Sequence, residues 1–196
     1  MRASHFSEME LANLAKWLLL GLFILCVQIH GNNGCFEVER LGLLDLKASI
    51  GSDGFDADHP FSSWVDDSLS DCCKWERVTC NFTTGHVIDL SLNNLRQYEE
   101  NIWFLNLSMF ESFKELRSLN LSHNRFGGLI DEKGFDGLKK LEILDLSDNY
   151  FNNSNFSSLA ALPSLTTLIL SRNNMKGSFP SKGMFIHIHS PIRLII

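Results

Sequence analysis

The chain has 196 residues, 44% of them apolar and 20% charged, which suits one folded domain and excludes disordered or collagen-like chains. Its 17 Lys and Arg against 23 Asp and Glu give a net charge of −6, which argues against binding nucleic acid through its phosphates. After the first thirty residues no apolar run is long enough to span a bilayer as a helix.

Trp17 to Val27 reads WLLLGLFILCV, eleven uncharged residues behind Lys16. As a helix it would be about 16 Å long, roughly half the hydrocarbon thickness of a membrane. With Ile29 and Gly31 at the −3 and −1 positions of a peptidase site, residues 1–31 are expected to be a secretory signal peptide. The alternative is a buried or anchoring N-terminal helix.

Residues 32–84 are expected to form a cap. With Cys26 removed in the signal, Cys35, Cys72, Cys73 and Cys80 remain, and four thiols in an exported chain allow three pairings. Adjacent cysteines rarely bond to each other, so Cys35 is expected to join one member of the Cys72–Cys73 pair and Cys80 the other. The longer closure would contribute about 4 kcal/mol and the shorter about 2.5 kcal/mol. No C-x-x-C or histidine lies at the spacing a zinc finger needs. Val38, Leu41, Leu44 and Ala48 follow helical spacing and are expected to face the core, with Trp64 and Trp75 sealing it. Asp53, Asp56 and Asp58 lack the glycine and terminal glutamate of a calcium loop and read as an acidic turn. Downstream of the signal, Asn81, Asn106, Asn120, Asn152 and Asn155 each begin an Asn-x-Ser/Thr site for N-glycosylation, in keeping with export.

Residues 85–183 repeat. LRSLNLSHN (Leu116 to Asn124), LEILDLSDN (Leu141 to Asn149) and LTTLILSRN (Leu165 to Asn173) share one pattern, and Ile88, Leu90 and Asn93 form a weaker earlier copy. A period in the mid-twenties with Leu-x-x-Leu-x-Leu-x-x-Asn is the leucine-rich repeat signature. In each copy the last two leucines are two apart and point to one side of a short strand: Leu119 and Leu121, Leu144 and Leu146, Leu168 and Leu170. Asn93, Asn124, Asn149 and Asn173 are expected to satisfy backbone groups where the strands end. Phe110, Phe113 and Leu116, then Phe135, Leu138 and Leu141, then Phe156, Leu159, Leu162 and Leu165 step by three, the period of helical or 3₁₀ turns on the convex back. Such coils bury their apolar faces only by stacking. The insertion between Leu95 and Met109, with Tyr98, Trp103 and Phe104, is either a flap on the cap or a binding loop.

The last copy continues with Asn173, Met175, Gly177, Phe179 and Pro180, and N-x-apolar-x-G-x-apolar-P resembles the plant extracellular leucine-rich repeats. CFEVERLGLLDLKASI (Cys35 to Ile50), FSSWV (Phe61 to Val65) and DCCKWERVTC (Asp71 to Cys80) resemble the plant N-terminal cap. Over residues 35 to about 183 the chain is similar to plant receptor-like proteins. The resemblance implies an α/β solenoid, a right-handed coil with short parallel strands on its concave face and a disulfide-bonded helical N-terminal cap. It also implies pairing of Cys35 with Cys72 and Cys73 with Cys80, and it places a glycine where this chain has Arg77. Residues 184–196 carry no expected strand signature, Asn or cysteine cap, and read as an atypical tail of a truncated product. The alternative is a short secreted protein whose tail folds back as a cap.

The flanking strand positions are expected to face out on the concave side, where solenoids bind proteins and peptides. They are Asp89 and Ser91; Ser118, Asn120 and Ser122; Ile143, Asp145 and Ser147; Thr167, Ile169 and Ser171, with His123, Asp148 and Arg172 just past the strands. A glycan on Asn120 would project from that face, so either it is unmodified or its strip is unused. No hydrolase, metalloprotease or nucleotide-binding motif is present. His187 and His189 alternate in FIHIH without a third ligand. No enzyme, cofactor, metal or nucleic-acid partner is expected. The resemblance implies an extracellular recognition module for a protein or peptide ligand, signalling in defence or development. A receptor kinase would be co-receptor if the full-length form carries a membrane helix. An exported chain ending here would be apoplastic, similar to polygalacturonase-inhibiting proteins, or a fragment without function.

Overall fold

Short strands, one in each coil and each with leucines on one side, bury those leucines by lying edge to edge. The computed structural model describes residues 16–18, 34–52, 56–96, 102–130, 137–152, 162–176 and 193–196. Residues Met1–Asn33 form one unit, of which only 16–18 are described, as helix; Gly34–Ile196 form the other. Most of the expected signal peptide, with Asp53, Tyr98, Phe135, Asn155, Phe156, Leu159, His187 and His189, therefore lies outside the described residues.

The second unit begins with helix α1 (Glu37–Gly51) and a 3₁₀ turn at Cys72–Lys74. Strands β1 (Val78–Cys80), β2 (Val87–Ser91), β4 (Ser118–Asn120), β6 (Ile143–Asp145), β7 (Thr167–Ile169) and β8 (Arg193–Ile195) form one sheet in that order. Only β1 and β2 are antiparallel; the other pairs are parallel. Leu90, Leu119, Leu144, Leu168 and Leu194 stand in register across it. The first four are fully buried, and Leu92, Leu121, Leu146 and Leu170 repeat the arrangement two residues on. On the opposite side the three-residue series folds as expected: Phe113 N–H donates to Phe110 O (3.1 Å), Leu116 to Phe113 (3.2 Å), Leu141 to Leu138 (3.1 Å) and Leu165 to Leu162 (3.4 Å). All these side chains are buried.

Four expectations need correction. Helix α1 turns Val38, Leu41 and Ala48 outward and packs only Leu44 of the expected stripe against the core: Val38 is 66% and Leu41 45% exposed, and Leu43, Leu46 and Ile50 face the core. Both stripes have helical spacing. The true one also carries Glu39 and Arg40, which a reading by hydropathy rejects and which partners make tolerable. Glu39 accepts from Val87 N–H (3.1 Å) and lies 3.2 Å from His86 Nδ1, while Arg40 donates to Glu37 and Asp66.

The first copy is also out of register by two residues. Pairing of Leu90 with Leu119 puts Leu95, not Asn93, opposite Asn124. Leu95 N–H duly donates to Asn124 Oδ1 (2.7 Å), as Asn124 N–H does to Asn149 Oδ1 (3.2 Å). Asn93 stands outside the ladder, and Arg77 takes over part of its expected duty.

The described part of the insertion is more than an apolar flap: beside packing its last turn on helix α1 of the cap, it builds a second sheet. It forms β3 (Trp103–Asn106) and a 3₁₀ turn (Leu107–Phe110), and β3 pairs in parallel with β5 (Phe126–Ile130) as a second sheet. Trp103 stacks on Phe126 at 4.3 Å with the Arg96 guanidinium 4.0 Å above it, and Leu105 and Leu107 are buried. Finally, the tail does supply a strand. In β8, Arg193, Leu194 and Ile195 continue the register of Thr167, Leu168 and Ile169.

Cys35 joins Cys72 and Cys73 joins Cys80, each with 5.4 Å between Cα atoms. Asp71 caps the intervening turn by accepting from Cys35 and Cys73 N–H. Trp64 and Trp75 lie buried 5.8 Å apart, their Nε1–H groups satisfied by Glu76 O (2.9 Å) and Ser70 Oγ (2.8 Å). Buried aromatic nitrogens need such partners.

Candidate functional site

Parallel pairing turns the outward strand positions into straight rows. Asp89, Ser118, Ile143, Thr167 and Arg193 form one row, and Ser91, Asn120, Asp145, Ile169 and Ile195 the next. Five strands at parallel-sheet spacing span about 19 Å, the length of several residues of an extended peptide. Ile143 is exposed and the other expected residues of these rows are half-buried.

A third row follows where each strand turns. Asn94, His123, Asp148 and Arg172 have φ of 57°, 56°, 53° and 56°, a left-handed conformation that aims each side chain away from the core. Asp148 sits between its neighbours, with Oδ2 3.3 Å from His123 Nε2 and Oδ1 3.4 Å from Arg172 Nη1. Beside it a depression of about 290 Å³ is lined by these three and by Arg125, Asn149, Tyr150 and Asn174. The Arg125 guanidinium lies 5.1 Å over the Tyr150 ring. The sequence reading missed Arg125, Tyr150 and Asn174. Their signal was positional, since each directly follows a ladder asparagine.

Two expected surface residues are not available. Ser122 and Ser147 are only 5% and 8% exposed. Their hydroxyls donate to Asn120 Oδ1 (2.8 Å) and Asp145 Oδ1 (2.7 Å), which also accept from the same residues' N–H groups. These serines close turns rather than meet a partner. Ser171 remains half-buried.

Under the rows runs the asparagine ladder. Asn149 Nδ2 donates to Leu121 O, Leu146 O and Ser147 O at 3.0, 3.1 and 3.0 Å, while Oδ1 accepts from Asn124 and Phe126 N–H. Asn124 and Asn173 repeat the pattern one coil away. At the cap end Arg77 adopts φ 67° and donates from Nη1 to Ser91 O and Asn93 O, both at 2.9 Å. Burial pushes its guanidinium pKa down.

The sequons fall on different faces. Asn81 lies in the turn after β1, Asn106 ends β3, Asn120 stands in the second concave row, and Asn152 is exposed beyond Phe151. Among the described residues no group of three or more His, Cys, Asp or Glu is placed to hold a metal ion. Nor, among them, is any helix long and apolar enough to cross a membrane.

Residues 99–151 and 114–175 match the family model described as "Leucine rich repeat", and residues 37–81 that described as "Leucine rich repeat N-terminal domain". Among curated relatives, Receptor like protein 21 of Arabidopsis thaliana is 43% identical over 175 residues, covering 85% of this chain and 18% of that protein. The chain thus spans less than a fifth of that relative's length. Among solved structures, the BIR3–SERK2 complex from Arabidopsis thaliana aligns at 28% identity and a TM-score of 0.57, covering 76% of this chain and 78% of that one. The BIR2 ectodomain from the same plant aligns at 25% identity and a TM-score of 0.54, covering 74% and 76%.

Proposed function

Because the chain belongs to the leucine-rich repeat family, with a match to the N-terminal domain model of that family and 43% identity to a plant receptor-like protein, we propose that it is the first portion of an extracellular recognition module. In this reading the concave rows bind a protein or peptide without catalysis, and the longer protein passes the signal to a partner receptor kinase in defence or development. The observation that carries it is the rows themselves. Five strands in register present Asp89, Ser118, Ile143, Thr167 and Arg193 side by side, on a backbone paired from strand to strand. A rigid, pre-formed surface spends little entropy on ordering when a partner binds. That one structural neighbour is a BIR3–SERK2 complex supports pairing with a second protein. Export in the secretory pathway, to the apoplast or plasma membrane, belongs to the same proposal.

Photo-crosslinking residues placed singly at Ile143 and Ile169, and at Lys139 on the opposite side as control, test it in plant extracellular fluid. Crosslinks to a discrete protein or peptide from the concave positions alone are expected. Equal labelling from Lys139, or none from the rows, would contradict the proposal.

A further inference from the structure

The second sheet bears an outward apolar strip with a glycosylation sequon built into it. In β3 the side chains alternate: Leu105 is buried, while Phe104 and Asn106 point out. The register pairs Asn106 with Ile130 and Phe104 with Gly128, so Asn106 stands directly beside Ile130 and one step along from Phe104. Phe104 is 54% and Ile130 52% exposed, and Ile102 is exposed next to them. The strip continues over Gly127, where an added Cβ would meet Ile102 Cγ2 at 2.5 Å. Neighbours across a parallel pair lie about 5 Å apart, and same-face neighbours along a strand about 7 Å. Phe104 and Ile130 are thus within reach of the first sugar of a glycan on Asn106.

The sequon is posed for that. Asn106 Oδ1 accepts from Ser108 N–H (3.1 Å) and Ser108 Oγ–H (2.9 Å), which turns the amide nitrogen outward. Among the described residues Nδ2 makes no hydrogen bond, and Asn106 is exposed.

We propose that Asn106 carries an N-linked glycan whose first sugars lie over Phe104 and Ile130 and are the normal cover of this strip. The reaction takes a lipid-diphosphate-linked oligosaccharide, the donor class of the secretory pathway. Asn106 Nδ2 attacks the anomeric carbon, the C1–O bond to the diphosphate breaks, Nδ2 loses one proton to base, and lipid diphosphate leaves. No oxidant or reductant is needed. A pyranose presents C–H bonds on one face and hydroxyls on the other. It therefore covers a phenyl ring and an isoleucine while facing water, which takes an exposed apolar strip on the sheet's outer face out of contact with solvent and other molecules. The inference rests on the proposed export but not on what the concave face binds.

The test is to secrete the full chain from plant cells, map occupied asparagines by peptide mass spectrometry, and measure fluorescence of an apolar dye. High occupancy of Asn106 is expected. Both Asn106→Gln and Ser108→Ala should raise dye fluorescence about twofold or more, and adding Phe104→Ser should return it to the parent level. If a variant is not secreted, enzymatic trimming of glycans from the folded parent should give the same rise. Exported protein with Asn106 bare and other sequons filled would overturn this inference alone. A chain retained with every sequon bare would overturn it together with export. Unchanged dye binding after glycan loss would also overturn it.

Discussion

Asn149 shows how much one side chain can carry here. Its amide hydrogen-bonds three carbonyls and two N–H groups from two successive coils, Leu121 O and Ser147 O also accepting from Asn124 Nδ2 and His123 N–H. An unsatisfied buried backbone group costs on the order of 1–3 kcal/mol. Partial relaxation is expected to leave Asn149→Ala about 3 kcal/mol less stable in urea unfolding. Asn93→Ala should change stability by no more than about 0.5 kcal/mol, because Leu95 fills the ladder position in that coil. A large loss for Asn93→Ala would reinstate the register read from sequence. That reading failed for an identifiable reason. In VIDLSLNNL the Asn is replaced by Leu95 while two asparagines stand just before it, so residue type pointed two positions too early. Ser122 and Ser147 misled differently. Alternation puts them near the outward rows, but each follows an Asn or Asp whose oxygen draws its hydroxyl into a turn.

Helix α1 is the element where sequence and structure differ most, and its two charged core residues explain why. Glu39 bridges the helix to the start of β2, and burial raises its carboxyl pKa against the opposing pull of Val87 N–H and His86. A raised native pKa means that the folded state holds the proton more tightly than the unfolded chain. Its contribution to stability is therefore full below the unfolded value and falls as pH rises through the native one. Glu39→Gln keeps an acceptor for Val87 and removes the titration. Between about pH 4 and about pH 7 the variant should lose less stability than the parent in denaturant titrations; a parallel fall would contradict this. The helix also needs Gly42, since a Cβ there would stand 2.7 Å from Ser112 Cβ. Gly42→Ala gains about 1 kcal/mol of helix propensity but overpacks by about 1–3 kcal/mol. A lower Tm is expected, restored by adding Ser112→Gly. The cap was more legible: spacing placed Cys35 and Cys80 each with one of Cys72 and Cys73, the resemblance to the plant cap implied which, and the burial of Trp64 and Trp75 depends little on which helical face turns inward.

Across the whole molecule, one column of leucines organises everything else. Leu90, Leu119, Leu144 and Leu168 fix the strand register, and that register lines up the outward rows and the asparagine ladder. The period made this legible in sequence, since a repeat must stack on its neighbour to be stable. The second sheet and the last strand were not legible. Trp103 and Phe126 pair across a shifted register, and Arg193–Ile195 reaches the sheet without the repeat's own signature. No ligand can be read from the rows, because binding specificity depends on a partner that the strand pattern does not encode. The most direct measurement is nuclear Overhauser spectroscopy on methyl-labelled leucines of the whole chain. Contacts are expected in the order Leu119 to Leu144, Leu144 to Leu168 and Leu168 to Leu194, with parallel-strand backbone contacts beside them. Absence of that order, or helical backbone contacts at the same leucines, would contradict the stacked coil and the surface built on it.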